Sequence, residues 1–222
     1  VKNYSQIGDS QLYGGKHCGS DAEHRGSEYI KAELEKLHLD HVEMIPCRTS
    51  RYQFNDAVLK IKGQGTVIKP YGYVSPGTDE NGITAQLIDV KKSVKEVYET
   101  CEVKGKIALL EAMGALESEN LAGQIEEAVI HGACAAVIYA AEDILNDETI
   151  RVQTPSLSNN IPIVGICKRD ADYLKAELKQ KGDLAVNLTV DSEFVPDGGT
   201  TYNVVGEITG ALSEEAIVYS AH

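Results

Sequence analysis

The spacing of apolar residues first indicates a helix near the start of the chain. Ile30, Leu34 and Leu37 recur at positions i, i+4 and i+7, so they form one apolar stripe on an otherwise charged segment. Ser20 and Glu23 have the spacing of a capping box, in which each side chain bonds a free backbone amide of the first turn. The pattern therefore predicts an amphipathic helix that begins after Ser20 and packs one face against a partner surface.

Short β-rich runs replace this helical pattern farther along the chain. Residues 42–45 and 57–61 are rich in β-branched and other apolar side chains, and Pro46 stands between the two runs. Asn81 and Gly82 form a dipeptide typical of tight turns, and a further apolar run follows them. This region is predicted to form a small antiparallel layer.

The middle of the chain alternates strand and helix patterns. A compact apolar run over 106–110 precedes an amphipathic helix over 121–130, which Gly132 ends, and a buried strand over 135–139 follows. Strand, helix and buried strand in this order are typical of a βαβ unit in a parallel sheet. The same order repeats in a second predicted unit, formed by strand 161–166, helix 169–180 and strand 184–190.

The C-terminal part is predicted to be a linker followed by two strands. Residues 194–199 have the Pro and Gly content of a linker, and 203–208 and 216–220 are apolar runs on either side of a polar turn. A chain end directly after a strand is unusual for a complete domain, so we expect the natural polypeptide to continue. The whole pattern predicts the α/β fold class.

Composition and charge narrow the classes of function. The chain has 222 residues, of which 42% are hydrophobic and 25% charged, as in ordinary globular proteins. Its formal net charge is −13 and no dense basic stretch interrupts it, so nucleic acid is excluded as a partner. The sequence also predicts no membrane span and contains no secretory signal.

The cysteines argue against a metal-binding or disulfide scaffold. They are odd in number and never spaced as C-x-x-C, which disfavours both a zinc ribbon and a disulfide framework. We expect free, mostly buried thiols, which favours a reducing compartment such as the cytoplasm without assigning one. Cys134 has small apolar neighbours that raise a thiol pKa, so it is predicted to be an inert core residue.

No short motif by itself identifies a catalytic site. The sequence contains no P-loop, nucleophile elbow, H-E-x-x-H or G-x-G-x-x-G motif. His38 and His41 have a spacing that could hold a metal, but their place at the end of the predicted helix favours solvated side chains. Asp89, Glu111 and Asp170 fall near predicted strand ends, where we interpret them as caps and rim charges.

The predicted first helix carries a motif that is found in a known family. It reads G-S-x-x-E from Gly19, then Tyr-Ile at 29–30, then L-x-x-L-x-L from Leu34. This order resembles the first helix of the di-zinc exopeptidases of the aminopeptidase Y and glutamate carboxypeptidase type, with His38 in place of the family's capping glycine. The resemblance implies that residues 1–45 are the N-terminal helix segment of a peptidase domain.

A second motif, near the C-terminus, is similar to the same family. It reads N-V-x-x-E-I-x-G from Asn203 and leads into the apolar run that precedes His222. By resemblance, residues 197–222 are the first strands of the peptidase domain and His222 matches the first zinc ligand. The remaining ligands and the general-base glutamate would lie beyond this chain. We therefore expect zinc in the full-length parent and none bound in this chain.

Residues 103–110, 128–139 and 161–164 carry the pattern of an inserted module. They resemble the protease-associated domain, which these exopeptidases often contain after the first helix. The resemblance implies such a domain over 46–196, covering the active-site cleft and shaping substrate access or contacting another subunit. We expect a parent enzyme that acts on peptide substrates near a chain terminus, and a chain that is inactive alone.

Two other functions stay open. The chain could be a stand-alone protease-associated module that binds peptides or protein partners, and a natural stop after His222 would favour that function. It could also be a small-molecule-binding α/β domain of the swivelling type, with a pocket at the C-terminal ends of its strands. The apolar stripe of the first helix and the strand pair over 204–218 further predict self-association into a homo-oligomer.

Overall fold

The structure is a computed structural model, which describes residues 2–8, 15–112, 118–141, 146–148, 150, 161–211 and 216–220. It confirms the α/β fold class. The helices are α1 (Lys2–Ser5), α2 (Asp21–Glu35), α3 (Lys95–Tyr98), α4 (Ser118–Ile130) and α5 (Lys168–Lys181). The strands are β1 (His41–Ile61), β2 (Val67–Ile68), β3 (Tyr71–Gly72), β4 (Ile83–Lys91), β5 (Ile107–Ala112), β6 (Ala135–Ala140), β7 (Ile163–Gly165) and β8 (Ala185–Glu207). None of the described helices is long and apolar enough to cross a membrane.

The strands form one mixed sheet in the order β2-β1-β8-β4-β5-β6-β7-β3. Strands β4, β5, β6 and β7 are parallel, whereas β8 pairs antiparallel with β4. The first predicted βαβ unit, β5-α4-β6, is confirmed. The second is wrong in direction, because β8 does not run parallel to β7. Apolar periodicity carries no information about strand direction, which depends on the neighbour that a strand pairs with.

Strands β1 and β8 are much longer than predicted. The 21 residues of β1 include Pro46, and the 23 residues of β8 include 194–199, so the predicted break and the predicted linker are both wrong. Pro46 is exposed and lies away from Leu59 and Lys60, the positions where β1 pairs with β2. A proline at this exposed position removes no hydrogen bond to β2. A Cβ on Gly199 would lie 2.9 Å from the Ser50 carbonyl oxygen, so glycine permits a close backbone approach there.

The chain forms two compact units. Unit 1 consists of residues 1–51 and 195–222, and unit 2 consists of residues 52–194. Unit 1 is therefore built from both ends of the chain, whereas unit 2 is continuous. The expectation that residues 46–196 are a protease-associated domain stays a prediction.

In unit 2, the sheet separates two apolar cores. Successive residues of a strand point to opposite faces, so Leu109 and Leu110 of β5 belong to different cores. One core includes Leu174 of α5, and the other includes Leu121 and Ile125 of α4. These side chains are almost completely buried. The α4 and α5 helices thus cover opposite faces of the parallel strands.

In unit 1, helix α2 begins as predicted, but its capping box is only half formed. The Ser20 hydroxyl accepts a bond from the Glu23 amide at 3.1 Å. The Ser20 amide donates to the His17 carbonyl and not to the Glu23 carboxylate. The Glu23 carboxylate instead accepts hydrogen bonds from the hydroxyls of Ser27 at 3.0 Å and Thr201 at 3.1 Å. Glu23 therefore joins helix α2 to strand β8 within unit 1.

Residues 216–220 are not a strand, so this prediction is wrong. The side chains of Ile217, Val218 and Tyr219 are 84–95% exposed. Consecutive apolar residues of this kind are typical of a central strand that is buried on both faces. A strand forms only when a neighbour satisfies its backbone groups, and the described residues offer none to this segment.

Candidate functional site at the carboxyl ends of parallel strands

The carboxyl end of β4 has an unusual backbone. Lys91 and Ser93 both adopt left-handed conformations, with φ of 50° and 51°. Each such conformation costs a non-glycine residue about 1–2 kcal/mol. Side chains hold the turn in place: the Asp89 carboxylate accepts from the Lys91 amide at 2.9 Å, and the buried Ser93 hydroxyl donates to the Gln124 carbonyl at 2.6 Å. The chain thus maintains a strained turn directly after a strand.

Helix α4 links this turn to the carboxyl end of β5. The Gln124 side-chain amide donates to the carbonyl of Lys92 at 2.6 Å and to the carbonyl of Glu111 at 2.8 Å. Gln124 is 3% exposed, so both bonds are sheltered from water. The Lys92 ammonium lies 3.9 Å from a Glu111 carboxylate oxygen. Two strand ends are thereby fixed with their charged side chains beside each other.

The carboxyl end of β6 contributes a buried phenol. The Tyr139 hydroxyl donates to the other Glu111 carboxylate oxygen at 3.0 Å and accepts from the Lys175 ammonium at 3.1 Å. The same ammonium lies 4.7 Å from the centre of the Tyr139 ring, which adds a cation–π contact. Burial raises the pKa of Tyr139 to about 12, so the phenol keeps its proton at neutral pH.

Helix α5 completes the charge distribution. Lys175 lies 3.0 Å from Asp172, which also pairs with Lys168. Partial burial opposes the charge on Lys175, but the hydrogen bonds to Tyr139 and Asp172 outweigh it and raise its pKa. The hydrogen bond from Lys168 lowers the pKa of Asp172. Among the described residues, three ammonium groups and two carboxylates therefore lie at this edge of the sheet, and these five groups have a summed charge of +1 in a chain of net charge −13.

Of the three acidic residues predicted near strand ends, only Glu111 belongs to this group. We interpreted it as a rim charge, yet its carboxylate lies beside the Lys92 ammonium and accepts a hydrogen bond from the Tyr139 hydroxyl. Asp89 caps its own turn, as predicted, and Asp170 pairs with the neighbouring Arg169 at 3.5 Å. Cys134 packs beside the core and burial raises the pKa of its thiol, in agreement with the inert role.

The histidines do not assemble a metal site in the described part of the chain. His38 and His41 are both exposed, His38 with φ of 57° at the end of α2 and His41 beside Glu43 at 3.5 Å. No three His, Cys, Asp or Glu side chains among the described residues lie close enough to hold a metal ion. His222, the candidate first zinc ligand, lies outside the described residues. The described residues therefore do not fit a zinc site.

Sequence reasoning missed Lys92, Tyr139 and Lys175. Tyr139 ends a predicted buried strand, and Lys92 is the second residue after the predicted strand over 83–90, so both are at positions where ligand sites of α/β proteins occur. Lys175 lies one turn after Ala171 on the predicted α5 helix, at the border of its apolar face. No sequence signal shows that these three side chains converge on Glu111.

Among known proteins, the chain is similar to solved structures of peptidases. No family model matches the chain, and no curated protein is a significant match. Among solved structures, the chain is similar to BSAP, a zinc aminopeptidase from Bacillus subtilis, with a TM-score of 0.63 and 25% identity over 92% of this chain. It is also similar to an aminopeptidase from Aneurinibacillus sp. strain AM-1, with a TM-score of 0.58 and 24% identity over 91% of this chain. A peptidase M28 precursor from Shewanella amazonensis gives a TM-score of 0.62 and 22% identity over 87% of this chain.

The chain shares its fold with part of these peptidases. It spans 45% of the two aminopeptidases and 47% of the M28 precursor, which is less than half of each. The likeness covers residues of both units, since it extends over about nine tenths of the chain. It supports a peptidase-related protein.

Proposed function

We propose that this chain is the non-catalytic part of a zinc-dependent, aminopeptidase-like exopeptidase. The observation that carries the proposal is the likeness to BSAP, which extends over 92% of this chain but only 45% of the solved aminopeptidase. The active site of the parent enzyme would then be completed by residues outside this chain.

Unit 2 is, in this proposal, the protease-associated domain of the parent enzyme. Its support is the connectivity: unit 2 is one continuous segment, and unit 1 takes residues from both sides of it. A domain inserted into another domain has this arrangement. Unit 2 also contains its own buried core, as a module that is inserted into different proteins requires.

The role that we assign to unit 2 is control of substrate access to the active site or contact with another subunit. Its described residues include lysine, tyrosine and carboxylate side chains that hydrogen-bond or pair with one another at the carboxyl ends of the strands, an arrangement that suits binding.

The experiment has two parts: sequencing of the gene beyond the codon for His222, and hydrolysis assays with purified protein. If the reading frame continues beyond His222, an Asp as the second following residue and further His, Asp and Glu residues support the exopeptidase. The longer protein should then hydrolyse aminoacyl anilides, and a chelator should abolish the activity. The chain of 222 residues should not hydrolyse these substrates. Strong chelator-sensitive hydrolysis by the chain itself would refute the non-catalytic assignment, and a stop codon after His222 would favour the stand-alone binding module.

A further inference from the structure

The carboxyl edge of strands β4, β5 and β6 has the properties of a binding site. Ligands of open α/β sheets bind outside the carboxyl ends of the strands, where loops and side chains of neighbouring strands converge. The three strands are parallel neighbours, so their carboxyl ends share one edge. The charged group formed by Lys92, Glu111, Tyr139 and Lys175, which we call the edge cluster, lies there.

A second, independent observation supports this location. Lys91 and Ser93 have left-handed backbones, and hydrogen bonds that involve Asp89, Gln124 and the buried Ser93 hydroxyl stabilise the turn. Strained backbone maintained by buried side chains occurs mainly at functional sites. Lys92 lies between the two strained residues, so the turn fixes the Lys92 backbone at a point from which its ammonium reaches to 3.9 Å from Glu111.

The charges of the edge cluster select the kind of ligand. Its two lysine side chains are partly exposed, Lys92 by 49% and Lys175 by 31%, and the neighbouring Lys168 adds a third ammonium group. Glu111 and Asp172 lie among them, so these five described side chains together have a charge of +1. A group with one negative charge matches this balance, whereas a doubly charged phosphate would meet repulsion from both carboxylates and from the acidic chain.

We propose that the edge cluster binds the carboxylate group of an amino acid or a peptide, with Lys92 and Lys175 as the donors. Tyr139 is a positioning residue: its hydroxyl links Lys175 to Glu111 and prevents the ammonium from swinging away. Lys175 has three protons, and Tyr139 and Asp172 take two of them among the described residues, so the third is the donor that we assign to a ligand oxygen. The proposal concerns unit 2 itself and does not depend on the peptidase assignment.

The test is NMR titration of the ¹⁵N-labelled chain at constant ionic strength, with five probes. N-acetylalanine offers a carboxylate without an amine, alaninamide offers an amine without a carboxylate, and trialanine, free alanine and inorganic phosphate are the other three. We expect N-acetylalanine and trialanine to shift the amide signals of residues around Lys92, Ala112 and Tyr139 in a saturable manner below about 10 mM. Alaninamide and phosphate should cause weaker changes. Trialanine binding more tightly than free alanine would assign the site to a peptide terminus, and the reverse order would assign it to an amino acid.

Variants decide whether the lysines are the donors. K92M and K175M should each weaken N-acetylalanine binding about tenfold or more, because each removes a charge-assisted hydrogen bond. K179M is the matched control, since Lys179 is exposed on the same helix and outside the edge cluster, and its affinity should equal that of the unchanged chain. K92M leaves the Tyr139 contacts intact, so it stays informative if K175M fails to fold. The absence of saturable shifts at the edge, equal affinity for alaninamide, tighter binding of phosphate, or unchanged affinity in folded K92M would overturn the proposal.

Discussion

The two units differ in how much of their apolar surface they bury. Among the described residues, nearly all buried apolar side chains belong to unit 2, and Ala22 alone belongs to unit 1. Unit 1 instead exposes large apolar side chains, including Leu37 at 66%, Ile208 at 75% and Tyr219 at 95%. Unit 2 therefore has the core of an independent domain, whereas unit 1 has exposed apolar residues of the kind that mark an interaction surface. This difference agrees with the proposal that unit 1 is part of a larger peptidase domain.

The largest expected effect compares a leucine of each unit. Leu109 is completely buried in unit 2, so L109A should lower the free energy of unfolding by about 2–5 kcal/mol. Leu37 is exposed in unit 1, so L37A should change it by less than about 0.5 kcal/mol. Urea denaturation followed by circular dichroism measures both. If L37A lowered the free energy of unfolding as much as L109A, the expected difference between the units would be wrong, because unit 1 would then have a core of its own.

Two glycines of unit 2 separate the cost of backbone strain from the cost of steric overlap. Gly82 has φ of 69°, and a Cβ would lie 2.5 Å from the Leu188 carbonyl oxygen. G82A should therefore cost about 2–4 kcal/mol, from backbone strain and steric overlap together. Gly105 has φ of 72° with no atom near the Cβ position, so G105A should show only the backbone cost of about 1–2 kcal/mol. Equal losses in urea denaturation would mean that the turn at Gly82 can relax.

The pH dependence of unfolding tests the buried phenol of the edge cluster. Tyr139 has a folded pKa of about 12 against 10.0 when unfolded, so its contribution is complete below pH 10 and is lost as pH rises toward 12. The full loss corresponds to about 2–3 kcal/mol. Y139F lacks this contribution, so the stability of the unchanged chain should fall more steeply than that of Y139F above pH 10. Parallel curves for the two proteins would show that the phenol is not held in its neutral form.

The smallest expected effect concerns the bond that joins the chain ends in unit 1. T201V removes the hydroxyl that donates to the Glu23 carboxylate and should lower the free energy of unfolding by about 1 kcal/mol. Thr200 is exposed and adjacent, so T200V is a matched control with an expected change below about 0.5 kcal/mol. Chemical denaturation should separate the two variants. If T200V and T201V behave alike, the Glu23 bond does not stabilise unit 1.

Local patterns predicted the elements whose stability is local. The start of α2 follows from Ser20 and the spacing of its apolar stripe, and the β5-α4-β6 unit follows from its period and from Gly132, which has φ of 83°. These elements depend on capping, periodicity and turn chemistry, which are visible in neighbouring residues.

Pairing between distant residues was not predictable in the same way. Pro46 and residues 194–199 resemble breaks, yet β1 and β8 continue through them because each strand pairs with a partner far away in the sequence. The edge cluster has the same origin: Lys92, Glu111, Tyr139 and Lys175 come together only when three strand ends and a helix meet. Side-chain chemistry at each position was visible, but the convergence was not.

Native-state hydrogen exchange of the whole chain tests the difference between the units most directly. The account predicts that amides of β5 and β6 in unit 2 exchange only through global unfolding. Amides of 203–207 and 216–220 in unit 1 should exchange at least about 100-fold faster, through local opening. Equal protection of the two sets would contradict the account, because unit 1 would then be as completely packed as unit 2.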